Sequence, residues 1–175
     1  MLDLGTIQAL PKVLLHDHLD GGLRPATILE LAAEIGHELP SAGKAELAAW
    51  FVQGADTGDI NQYLATFEHT LAVMQRADHC HRVAYEAVLD LAADGVVYAE
   101  VRFAPENHVF AGMNMDAVME AVQDGFRAGM DEAARLGAPI VVNTIVSSHA
   151  PGRPEPRGGR FGAAVERSRP SCCGL

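Results

Sequence analysis

A chain of 175 residues with 49% apolar and 21% charged residues has the length and composition of one soluble globular domain. Its formal charge of −10 and pI near 5.1 argue against nucleic acid or an anionic membrane as partner, since both demand clustered Lys and Arg. Three cysteines, Cys80 and the adjacent Cys172 and Cys173, make neither a disulfide framework nor a CxxC metal site. The opening "MLDLGTIQALPK" has no basic n-region, and no run reaches roughly eighteen uncharged apolar residues, so a cytoplasmic location is the default expectation.

In chain order, residues 12–18, "KVLLHDH", read as a first strand that ends on two histidines. Side chains of an extended strand alternate between faces, which puts His16 and His18 on one face and Asp17 on the other. Asp20 joins the histidines if the chain stays roughly extended past Leu19. Pro25 suits the first position of a helix, Ile28, Leu29, Leu31, Ala32 and Ile35 follow at helical spacing, and Gly36 stops it. A short helix is expected over 42–52. Asp59 with Gln62 resembles a capping box for "INQYLATFEHTLAVMQ"; Asp78 is the expected cap of "HCHRVAYEAVLDLAAD", which Gly95 ends. A second strand, "VVYAEVRF", covers 96–103. Asn114 opens the long amphipathic segment "MDAVMEAVQDGFRAGMDEAARL", Gly137 closes it, and "PIVVNTIV" is a third strand.

Three strands separated by helices, without hairpin signals, imply parallel pairing and an α/β class. Two architectures are open, a doubly wound sheet and an incomplete (β/α) barrel. After the first strand "HLDGGLRP" has adjacent glycines but neither GxGxxG nor GxxxxGK[ST], whereas a barrel carries its functional groups at the carboxyl ends of strands, where His16, His18 and Asp20 lie. The barrel is the better reading.

Composition changes sharply near residue 147. Residues 1–146 hold 21 acidic and 8 basic side chains, and residues 147–175 hold 2 acidic and 5 arginines, with four prolines and five glycines. The first part is expected to form the domain. The second, Arg/Gly/Pro-rich, lacks an apolar period and is expected to be a disordered basic tail or the product of a reading frame lost near Val146.

Two neutral imidazoles on one strand face suit a divalent transition ion such as zinc. The plainer alternative is two histidines satisfied by polar neighbours at a strand end. His79 and His81 repeat the HxH spacing inside a helix, where a two-residue step turns side chains about 200° apart, and read as surface residues.

The wider stretch "LPKVLLHDHLDGGLRPATILELA" closely resembles the opening of the adenosine deaminase family, whose signature is a lysine, a short apolar strand, HxHLDG and a proline-started helix. "YLATFEHTLAVMQ" resembles the family's helical segment over the active-site mouth, and "GVVYAEVRFAP" its second barrel strand, so that the likeness spans roughly residues 8–146. The resemblance implies a metal-dependent (β/α)8 barrel with a Zn2+ cofactor that hydrolyses adenosine, or 2′-deoxyadenosine, to inosine and ammonia in purine salvage. It makes His16 and His18 the two first-strand zinc ligands, and turns His18 and Asp20 toward the nucleoside, the aspartate reaching a ribose hydroxyl. Tyr63, Leu64 and Phe67 then either wall the purine pocket or pack as helix core; Gly21 either admits the ligand to the backbone or simply turns the chain. Glu100 and Arg102 share a face of the second strand and read as a structural layer.

The departures are equally plain. The family's third histidine on a later strand, its general-acid glutamate in HxxE, a further histidine near the metal and an aspartate on the last strand are missing; none of the eight histidines has a glutamate three residues on. A catalytic acid is therefore expected to be absent from this chain, which resembles about the first three β/α units of a barrel that takes about 250 residues. Three readings follow: a family member inactive alone, an adenine or nucleotide deaminase of the same superfamily, or a non-catalytic truncated remnant with a weak metal site. Cytidine-type zinc deaminases are excluded by the lack of HxE and PCxxC.

Overall fold

The computed structural model describes residues 3–148. All but the first two residues of the expected 147–175 tail lie outside the described residues. Among these residues six α-helices and three strands run in the order α1 (Leu4–Ala9), β1 (Lys12–His18), α2 (Pro25–Ile35), α3 (Lys44–Asp56), α4 (Ile60–Val73), α5 (Ala77–Ala93), β2 (Val96–Phe103), α6 (Met115–Arg135) and β3 (Val141–Val146). Short 3-10 turns, Leu19–Gly21 and Pro105–His108, follow β1 and β2.

The strands pair in parallel in the order β1-β2-β3. Sequential order with both crossover helices on one face is the singly wound pattern of a barrel wall, not the reversing order of a doubly wound sheet. Leu14, Ala99, Val101, Phe103 and Val142 pack on the apolar cluster that Val83, Ala84 and Val88 of α5 share with Val118, Val122 and Phe126 of α6. Among the described residues nothing covers the opposite face. Register places Val13 beside Tyr98 and Val141, and Leu15 beside Glu100 and Asn143, with Val13, Leu15 and Val141 62%, 61% and 54% exposed. Over the described residues the fold is an incomplete α/β barrel.

Glu100 and Arg102, expected to form an inner layer, do lie on this face; Tyr98 Oη donates to Glu100 Oε1 at 2.9 Å and accepts from Asn143 Nδ2 at 3.2 Å. Helices α5 and α6 approach unusually closely because α6 carries glycine at 125 and 129. A Cβ at Gly125 would stand 2.7 Å from Ala84 Cβ and well inside contact with His81 O, and one at Gly129 would stand 2.7 Å from Val88 Cβ.

Local signals account for most boundaries. Asn114 Oδ1 accepts from Ala117 N at 2.8 Å, and Asp59 Oδ1 from Asn61 N at 2.8 Å. Gly36, Gly95 and Gly137 take φ of 67°, 80° and 82°, the left-handed conformation that ends a helix without a Cβ penalty. Asp78 departs from expectation: Arg76 occupies the N-cap of α5, and Asp78 sits in the first turn, paired with the Arg76 guanidinium. The helix expected over 42–52 runs from Lys44 to Asp56, and α1 and the turn at Pro105–His108 were not expected.

Candidate active site

The carboxyl end of β1 does not continue as a regular strand. Pairing with β2 slips between Leu15 and Asp17, leaving His16 as the extra residue of a β-bulge with φ of 68°. A positive φ is uncommon outside glycine, and such a conformation costs on the order of 1–3 kcal/mol, so it persists only where its surroundings impose it. The bulge brings the two imidazoles together: the rings of His16 and His18 lie 5.3 Å apart between centroids, with planes inclined by 52°. Their proximity was expected; the cause differs, since strict alternation gives way to a bulge. Asp17 accepts from the backbone N–H of His18 at 2.9 Å.

After His18 the chain turns through Leu19–Gly21 and buries Asp20, which is 3% exposed. Asp20 Oδ1 has no hydrogen-bond partner among the described residues, and His18 Nδ1 stands 3.8 Å away. Burial pushes the Asp20 carboxyl above its ordinary range, while Arg102 on β2 and His18 pull it back. An unsatisfied buried carboxylate oxygen is expensive to keep.

Asp20 lies on a cleft of about 280 Å³ enclosed by the turn, α2, α3 and α4. Ile28, Phe51, Tyr63 and Phe67 make it apolar, with the Tyr63 and Phe67 rings edge to face at 5.3 Å. Leu64, considered with them, is 45% exposed and does not line the cleft. Thr66 and Thr70 donate to the backbone of their own helix, at Tyr63 O and Phe67 O, so Asp20 supplies the charge of the lining. A Cβ at Gly21 would meet His18 Cβ and the Phe67 ring at 3.6–3.7 Å, ordinary contact that would fill the space between them.

The second HxH pair is not surface decoration. His79 is 2% exposed; its Nδ1 stands 2.8 Å from Val73 O and its Nε2 3.1 Å from Glu34, joining the ends of α4 and α2. It shares no site with His81, as the helical spacing required.

A group that the strand patterns did not reveal lies after β2: Pro105, Glu106, Asn107 and His108 are all buried. His108 Nδ1 bonds Met74 O at 3.1 Å, and Gln75 reaches Asn107 O and Phe110 N, which fastens this turn to the carboxyl end of α4. The signal available was a polar run, Glu-Asn-His, set directly after a buried strand and a proline.

Among the described residues no group of three or more His, Cys, Asp or Glu could hold a metal. His16 and His18 fit a transition ion by donor type and proximity, and such an ion would need further ligands beside them.

The family model described as adenosine deaminase matches residues 11–152. The adenosine deaminase of Mycobacteroides abscessus is 57% identical over 148 residues, covering 84% of this chain and 41% of that protein. Among solved structures, Arabidopsis ADAL complexed with GMP superposes with a TM-score of 0.64 at 27% identity, covering 82% of this chain and 42% of the other. An amidohydrolase from Burkholderia ambifaria with bound zinc gives 0.61 at 28%, covering 83% and 38%. The chain thus spans about two fifths of the length of these relatives. With the barrel wall, the paired histidines and the buried aspartate all in the stretch that matches, the chain belongs to the adenosine deaminase family of hydrolases.

Proposed function

We propose that this chain carries the nucleoside-binding and first metal-ligating part of a zinc-dependent deaminase that converts adenosine or 2′-deoxyadenosine to inosine and ammonia, a step of purine salvage. The observation that carries it is the buried Asp20, its Oδ1 unpartnered, on an apolar aromatic cleft beside His16 and His18. His16 and His18 would hold the zinc, which when bound activates water as a nucleophile near neutral pH. Asp20 accepts a hydrogen bond from a ribose hydroxyl, and Tyr63 and Phe67 cover the purine and keep bulk water from it. Proton delivery to the purine ring needs an acid that these 175 residues lack, since no histidine is followed by glutamate at the third position.

A nucleotide substrate is the competing reading, because ADAL is complexed with GMP. The cleft speaks for a neutral nucleoside: no Lys, Arg or His is among the described residues that line it, and its charge is the carboxylate of Asp20, which repels phosphate.

The test is a chimera in which residues 1–146 replace the matching segment of the Mycobacteroides abscessus enzyme, assayed with adenosine, 2′-deoxyadenosine, adenine and AMP. The proposal requires preference for the nucleosides and loss of bound zinc with His16→Ala or His18→Ala, but not with His81→Ala. The 175-residue chain alone should be inactive with or without added zinc. Preference for AMP, or turnover by the unfused chain, would overturn it.

A further inference from the structure

A second pair of imidazoles meets away from the cleft lining. His37 follows Gly36, the left-handed cap of α2, and its backbone N–H bonds Ala32 O at 2.9 Å, which fixes where its side chain starts. His69 projects from α4. His37 Nε2 and His69 Nδ1 stand 3.0 Å apart, the ring centroids 5.3 Å, and both rings are half-buried. Trp50 of α3 sets its ring edge to face against His69, with centroids 5.2 Å apart, restricting the rotation of that imidazole.

We propose that His37 and His69 form a second site for a late first-row divalent cation such as Ni2+ or Zn2+, one that clips the loop after α2 to α4. Imidazole nitrogens bind such ions at about 2.0–2.1 Å, so two of them at a tetrahedral angle stand about 3.3–3.4 Å apart. The pair in this chain is only a few tenths of an ångström short of that. The ion replaces the proton shared between the rings, and a small swing of the loop histidine opens the gap. Both ligands start from backbone that is already held, so little freedom is lost on binding. Among the described residues no third His, Cys, Asp or Glu completes the set, so water fills the remaining positions and the ion stays exchangeable. The site has no residue in common with His16 and His18 and does not depend on the function proposed for them.

Trp50 is the only tryptophan of the chain, so the site carries its own reporter. Ni2+, with a partly filled d shell, quenches a nearby indole, and Zn2+ does not. Titration of the 175-residue chain with Ni2+ should give saturable quenching that fits a single class of site, its amplitude unchanged in the His16→Ala/His18→Ala double variant and reversed by excess Zn2+. His37→Gln, a change on a loop, should weaken the quenching isotherm by more than about tenfold, since even a residue that merely supports a metal ligand is worth that much. His69→Gln should do the same. Circular dichroism of each variant checks that the fold is kept. Quenching that survives His37→Gln, that disappears with His16→Ala/His18→Ala, or that is absent from a natively folded chain overturns the proposal.

Discussion

Replacing Asp20 by asparagine should make the chain more stable and its nucleoside site worse. Asp20 is 3% exposed, and Oδ1 has no partner among the described residues, with His18 Nδ1 at 3.8 Å, beyond hydrogen-bond reach. A buried polar atom without a partner costs about 1–3 kcal/mol when neutral and more when charged, so exchanging carboxylate for carboxamide should recover about 1–2 kcal/mol. With a urea slope of about 1–3 kcal/mol/M, the midpoint followed by circular dichroism at neutral pH should rise by about 0.5–1 M. In the chimera the same substitution removes a hydrogen bond to a charged acceptor, worth about 1.5–3 kcal/mol, so KM for adenosine should rise about ten- to a hundredfold. The opposed signs are the point, because residues kept for ligands are commonly unfavourable to the unliganded fold. If Asp20→Asn lowers the urea midpoint, the carboxylate is holding the turn at Leu19–Gly21 together, and its assignment to the nucleoside fails.

His108 is buried, its Nε2 has no partner among the described residues, and burial pushes its imidazole down to about 4. Its folded value lies below the unfolded one, so the unfolded chain binds the extra proton; stability is intact above about pH 6.5 and falls by about 3 kcal/mol as pH drops to 4. His108→Leu should flatten that part of the profile measured by urea melts between pH 7 and 4, and an unchanged slope would place the acid sensitivity elsewhere. Gly125→Ala gains about 1 kcal/mol of helix propensity, yet the new methyl meets Ala84 Cβ at 2.7 Å and the His81 carbonyl. Overpacking against backbone costs about 1–3 kcal/mol or more, so net destabilisation is expected, in contrast to Gly21→Ala, whose methyl makes only ordinary contact.

Features under short-range control were legible in the order of residues. Strands at 12–18 and 96–103 follow from β-branched runs between breakers, and the ends at Asp59, Asn114, Gly36, Gly95 and Gly137 follow from caps that act within a few residues. The HxHLDG stretch likewise marked where chemistry would sit. The rest emerged only on folding, because those outcomes depend on partners distant in sequence. The bulge that twists His16 to φ of 68° exists only against the register of β2, some eighty residues on. His79 became a core residue because Glu34 and Val73 O came to meet it, and the polar run at Glu106–His108 was buried because the end of α4 offered Met74 O. Asp20 acquired its charge environment in the same way: the carboxylate was legible, but its burial came from α4, β2 and α5, which pack on the turn from distant parts of the chain.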